Sequence, residues 1–155
     1  SIPKAIEEFG DHYKEIFRIA SKNISLTIKG DITTISDSLI TSSSDASNFN
    51  LHINGGTYVK ALRHTNGLLY LDCGGTVLLE NATFSASGNW FFRNAYTNNP
   101  CTLTANNCTF IGGHIQALAT AGQYTITNSN FYGINGIAFC LRCDERSESV
   151  VFIKS

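Results

Sequence analysis

Acid–base chemistry needs titrating side chains that converge, and this chain holds few. Beyond the N-terminal stretch its carboxylates are Asp31, Asp37, Asp45, Asp72, Glu80, Asp144, Glu145 and Glu148, and its imidazoles are His12, His52, His64 and His114. Cleavage of a glycosidic bond calls for two carboxyl groups about 5–9.5 Å apart, and no two of these acids fall at matching places in neighbouring repeats. Were the chain an enzyme, the candidates are Asp72, Arg93 and His114, with Asp72 stacked over Arg93. A surface ion pair worth under about 1 kcal/mol explains Asp72 and Arg93 equally well. No nucleophile–His–Asp set can be assembled from spacing alone. The glycines of Asp72-Cys73-Gly74-Gly75 read as a corner, not a phosphate-binding loop. Cys140 and Cys143 have CxxC spacing, but a metal centre would want a second such pair, so no metal and no cofactor is expected.

What positions these residues is a repeat. Leu26-Thr27-Ile28-Lys29-Gly30, Leu51-His52-Ile53-Asn54-Gly55, Val77-Leu78-Leu79-Glu80-Asn81, Leu103-Thr104-Ala105-Asn106-Asn107 and Tyr124-Thr125-Ile126-Thr127-Asn128 share one pattern, and Val150-Val151-Phe152 begins another copy. The first residues lie 25, 26, 26, 21 and 26 positions apart, a period that indicates a solenoid. The first and third residues of each copy are apolar, which predicts strands with those positions on the inner face. The fifth position, Gly30, Gly55, Asn81, Asn107 or Asn128, tolerates positive φ and predicts a left-handed bend. Its asparagines form a structural ladder, expected to satisfy polar groups at a buried turn.

Three residues after the bend come Tyr58, Phe84, Phe110 and Phe131, read as an inward aromatic stack on a second strand. A third strand follows a glycine corner in the segments starting at Leu68, Asn89, His114 and Ile137. There Leu69, Trp90, Ile115 and Ala138 are expected inward, as are Leu71, Phe92, Ala117 and Cys140. Tyr70, Phe91, Gln116 and Phe139 then form an outward row, preceded two positions earlier by Asn89 and His114. Exposed aromatics in a row imply a partner. Two are open: another subunit, or a sugar whose ring stacks on Tyr70, Phe91 and Phe139 while Asn89 and Gln116 bond its hydroxyls.

The segments LENATF, ANNCTF and ITNSNF, with the asparagine ladder and phenylalanine stack, resemble the right-handed parallel β-helix superfamily over residues 24–155. That pectate-lyase-like group includes pectate lyases, polygalacturonases and bacteriophage tailspikes. The resemblance implies an all-β, right-handed parallel β-helix of five to six coils. The NTD, DD, GHG and RIK segments of polygalacturonases are missing, as are the clustered aspartates of pectate lyases. In character the chain looks most like a tailspike or tail-fibre β-helix, which implies recognition of a bacterial surface polysaccharide, a homotrimer and a place in the virion tail after assembly in the host cytoplasm. A secreted polysaccharide hydrolase or lyase of the same fold, and a non-catalytic structural or trimerisation solenoid, are the alternatives.

With 155 residues the chain reads as one domain. A net charge of −1 gives no electrostatic reason to expect nucleic acid, and no run of 18 apolar residues suggests membrane insertion. Five cysteines, of which Cys73, Cys101, Cys108 and Cys140 are expected inside, suit a reducing compartment. Residues 1–23 differ from the rest: Ile2, Ile6, Phe9, Tyr13, Ile16, Phe17 and Ala20 recur at helical spacing, which predicts an amphipathic helix capping the solenoid. The sequence stops just inside a sixth coil, the expectation being a longer solenoid or an end covered by another subunit.

Overall fold

The computed structural model describes residues 15–30, 34–35, 38–60, 67–86, 90–94, 101–112, 114–117, 123–133, 139–141 and 150–154. These residues form seventeen strands and no helix. The first sheet takes β1 (Glu15–Ile19), β4 (Ser38–Ser42), β7 (Leu69–Leu71), β10 (Trp90–Asn94), β13 (His114–Ala117) and β16 (Phe139–Leu141). The second takes β2 (Ser25–Lys29), β5 (Phe49–Asn54), β8 (Gly75–Glu80), β11 (Cys101–Asn106), β14 (Gln123–Thr127) and β17 (Val150–Lys154). The third takes β3 (Thr34–Ile35), β6 (Thr57–Lys60), β9 (Thr83–Ser85), β12 (Thr109–Ile111) and β15 (Asn130–Tyr132). Each sheet receives every third strand and every pairing is parallel. The fold is therefore all-β, in an arrangement compatible with a β-solenoid.

The second sheet follows the repeat closely. Leu26, Leu51, Val77, Leu103 and Tyr124 are register partners, as are Ile28, Ile53, Leu79, Ala105 and Ile126. Most of these side chains are buried, because period-two alternation turns them toward one interior. The last copy is displaced by one residue: Tyr124 pairs with Val151, not Val150.

The bends that follow β2, β5, β8, β11 and β14 are all left-handed. Gly30 and Gly55 have φ of 98° and 83°, and Asn81, Asn107 and Asn128 have φ of 53°, 54° and 49°. In the third sheet Tyr58, Phe84 and Phe110 are in register and buried, with Phe131 partly buried beside them. Their centroids lie 5.3, 5.5 and 4.9 Å apart with interplanar angles of 18°, 16° and 14°. Parallel strands about 4.8 Å apart place equivalent residues directly above one another, so stacking follows from the register.

Two expectations change. Residues 15–19 are strand, not the end of a helix: β1 pairs with β4, Phe17 against Ile40 and Ile19 against Ser42. The Ile16-Phe17-Arg18-Ile19 run is rich in β-branched and aromatic residues, and pairing along a sheet edge outweighs its helical spacing. Residues 20–23, also part of the expected helix, are not helical either, and the remainder, 1–14, lies outside the described residues. The strand β4 itself, with Leu39 and Ile40 fully buried, was not anticipated from the sequence.

The third-strand register also changes. Leu69 pairs with Phe92 instead of Trp90, a slip of two residues, and the register breaks between Trp90 and Phe92. Ile115 pairs with Phe139 instead of Ala138, a slip of one. A two-residue slip keeps the faces, whereas a one-residue slip exchanges them. Cys140 therefore shares the row of Gln116, Arg93 and Tyr70 instead of the inner row with Ala117.

Candidate functional site

The outward aromatic row does not form. Phe91 is buried, 2% exposed, and packs on Phe110 with centroids 5.2 Å apart at 58°. The bulge is the cause: an extra residue at Phe91 lets two consecutive rings, Phe91 and Phe92, both enter the core. Phe139 lies in the row of Leu69 and Phe92, both buried. Of the expected contact residues, Tyr70 is half-buried and has Thr41, Arg93 and, one strand further, Gln116 as row neighbours. Asn89 lies outside the described residues.

The candidate catalytic residues are not brought together. Arg93 pairs with Tyr70, two positions before Asp72, so Asp72 does not stack over it. His114 pairs with Trp90, two positions before Gln116, the partner of Arg93. Asp72 and His114 are thus four positions apart along the strand direction, roughly 13 Å, and two strands apart across the sheet. Asp72 is half-buried, its amide donates to Ser42 Oγ at 2.7 Å, and burial raises its carboxyl above the ordinary value. No three His, Cys, Asp or Glu side chains among the described residues gather to hold a metal ion.

Three of the five cysteines belong to the core. Cys73, Cys101 and Cys108 are thiols, each 1% exposed. Burial pushes all three thiols up, Cys101 to about 12, with Cys73 beside it adding to the rise. A thiol held protonated is a poor nucleophile.

The outer face of the second sheet carries the organised polar chemistry. One outward row runs Ser25, Asn50, Thr76, Thr102 and Gln123; the next runs Thr27, His52, Leu78, Thr104 and Thr125; the third runs Lys29, Asn54, Glu80, Asn106 and Thr127. All fifteen are half-buried or exposed. Neighbouring strands hold one another's side chains in place. Thr76 Oγ1 donates to Asn50 Oδ1 at 2.8 Å, and Thr127 Oγ1 donates to Asn106 Oδ1 at 3.0 Å. His52 Nε2 lies 2.7 Å from Glu80 Oε2, a diagonal contact across two strands. The pair sits 28 residues apart, one repeat plus two, a relation visible in the sequence only once the register is set.

The ladder continues this surface around the corner. Asn81 Nδ2 donates to Asn54 Oδ1 at 3.1 Å and Asn107 Nδ2 to Asn81 Oδ1 at 2.8 Å. Asn128 reaches Asn106 instead of Asn107, at 3.1 Å. Asn81, Asn107 and Asn128 are exposed, not enclosed in a buried turn. A second, unforeseen ladder stands at the corner before the second sheet, where Asn48 Nδ2 donates to Asn23 Oδ1 at 2.9 Å and both residues have positive φ.

Fixed rows of hydroxyls and amides, almost free of charge, suit a ligand that itself presents many hydroxyls. No protein-family model, curated protein or solved structure matches the chain.

Proposed function

We propose that this chain is a right-handed parallel β-helix of the bacteriophage tailspike or tail-fibre type, which attaches a virion to its host by binding a bacterial surface polysaccharide, and that it works as a homotrimer in the virion tail. The observation that carries the reading is the outer face of the second sheet. Five adjacent parallel strands display hydroxyls and amides in three rows, with Lys29 and the His52–Glu80 pair as the ionisable groups among those fifteen positions. Strand spacing of about 4.8 Å sets polar side chains at regular intervals along the solenoid. An extended glycan can engage such rows through many weak bonds, each contributing about 0.5–1.5 kcal/mol. The pre-formed side-chain bonds lower the ordering cost of binding.

The test is an array of purified capsular polysaccharides and lipopolysaccharide O-chains, with native mass spectrometry of the same sample. Binding to at least one polysaccharide, weakened by Asn50→Ala and His52→Ala together, is expected alongside a trimer mass. A wild-type protein that binds none of them, or binding untouched by the double variant, overturns the reading.

A second reading follows from one contact. The imidazole–carboxylate pair His52–Glu80 is the arrangement a general base uses, so a polysaccharide hydrolase or lyase of the same fold is the alternative. Release of reducing ends or unsaturated sugar that His52→Ala abolishes would establish it in place of simple binding.

A further inference from the structure

Ile111 and Tyr132 stand apart from the rest of the surface. They are the exposed large hydrophobic side chains among the described residues, 38% and 57% exposed, and they are direct register partners on β12 and β15. Two residues earlier on the same strands, Thr109 and Asn130 are also partners, Thr109 half-buried and Asn130 exposed. Inside, Phe131 stacks on Phe110 at 4.9 Å, which holds β15 in place between the two outward residues. Immediately after the strands, Gly112 and Gly133 turn left-handed, with φ of 69° and 60°, and Gly112 N donates to Tyr132 O at 2.8 Å. Tyr132 therefore stands at the rim of the third sheet on a fixed backbone.

We propose that Tyr132 and Ile111 form a stacking platform for the apolar face of one pyranose ring, with Asn130 and Thr109 bonding that sugar's hydroxyls. This rests on the polysaccharide reading and adds a contact to it. The glycan would cross from the second sheet, over the exposed Asn81–Asn107–Asn128 corner, to the third. Area favours a sugar over a subunit seam: a stable protein interface needs about 800 Å² per partner, and two side chains supply a small fraction of that. The neighbouring outward positions Thr57, Val59, Thr83 and Ser85 are uncharged and half-buried or exposed, matching a neutral, hydroxyl-rich ligand. Aromatic faces attract the polarised C–H groups of a sugar as they attract other aromatic edges.

The experiment measures the affinity of wild type, Tyr132→Ala, Tyr132→Phe and the Asn50→Ala/His52→Ala variant for each polysaccharide that wild type binds, with assembly mass by light scattering. Tyr132→Ala is expected to weaken binding about tenfold and Tyr132→Phe about twofold or less, both at unchanged mass. Unchanged affinity in Tyr132→Ala overturns the platform while leaving the polysaccharide reading intact, provided the second-sheet variant loses affinity. A fall in assembly mass on Tyr132→Ala with affinity retained assigns the pair to a subunit contact instead. Failure of wild type to bind any polysaccharide overturns both proposals together.

Discussion

Removing the Phe110 ring tests whether the aromatic stack is what ties successive strands of the third sheet together. Phe110 is fully buried and meets three rings: Phe84 at 5.5 Å, Phe131 at 4.9 Å and Phe91 at 5.2 Å. Truncation of a buried phenylalanine to alanine costs about 3–5 kcal/mol, from lost transfer energy and the cavity left behind. Each ring pair adds about 0.5–1.5 kcal/mol beyond area, which places Phe110→Ala at the upper end, about 5 kcal/mol. That is a large share of the 5–15 kcal/mol that holds a typical domain together. Phe131 is only partly buried, so Phe131→Ala should cost about 2 kcal/mol. Phe110→Leu keeps most of the volume but loses the ring faces, and should cost about 1.5 kcal/mol. The assay is urea unfolding followed by far-ultraviolet circular dichroism, with a Phe84/Phe110 double-mutant cycle expected to return about 1 kcal/mol of coupling. A Phe110→Ala protein within about 1 kcal/mol of wild type, or a Phe131→Ala protein less stable than Phe110→Ala, refutes the reasoning.

Four further outcomes are expected. A Cβ on Gly75, whose φ is +103°, would lie 2.0 Å from the Phe49 carbonyl oxygen, so Gly75→Ala should lose more than about 3 kcal/mol; Gly133→Ala, at φ +60° with nothing within 4 Å, should lose about 1 kcal/mol by the same denaturation measurement. Asn107→Gly keeps the left-handed bend and gives up the 2.8 Å bond to Asn81, costing about 1 kcal/mol, whereas Asn107→Val forces a β-branched residue to φ 54° and should cost at least about 2 kcal/mol in thermal melts. Cys73, Cys101 and Cys108 should resist a thiol reagent until the protein unfolds, as read by peptide mass mapping. Because the folded pKa of Cys101 is raised from 9.0 to about 12, its contribution to stability is complete below pH 9 and falls as pH rises from 9 toward 12; Cys101→Ala should flatten that part of the pH–stability curve.

The second and third sheets were readable in the sequence because their corners are short and uniform. From β5 onward two residues, Gly55-Gly56, Asn81-Ala82, Asn107-Cys108 or Asn128-Ser129, separate the inward aliphatic strand from the inward aromatic strand, with little room for the register to drift. The first sheet is bounded by longer and unequal segments, so glycine corners were a poor guide to its alignment. There Phe91 turned inward at a bulge, and Arg93 moved beside Tyr70 instead of Asp72. Asp72, Arg93 and His114 flank or lie on that sheet, so their expected convergence fails with its register. His52 and Glu80, on the best-aligned sheet, are hidden from a row-by-row alignment because their contact is diagonal and not within one row.

By itself the sequence determined that the chain is built from parallel repeats, which residues end each strand in a left-handed bend, and that four aromatics share one interior row. These follow from local chemistry: side-chain alternation along an extended strand and the freedom of Gly and Asn at positive φ. Only the tertiary structure decided which side chains meet across strands and which face water. A single bulge or a one-residue slip exchanges inside for outside without altering composition or period. That is why Phe91 belongs to the core, why the asparagine ladder is a surface, and why Tyr132 and Ile111 stand together at the rim.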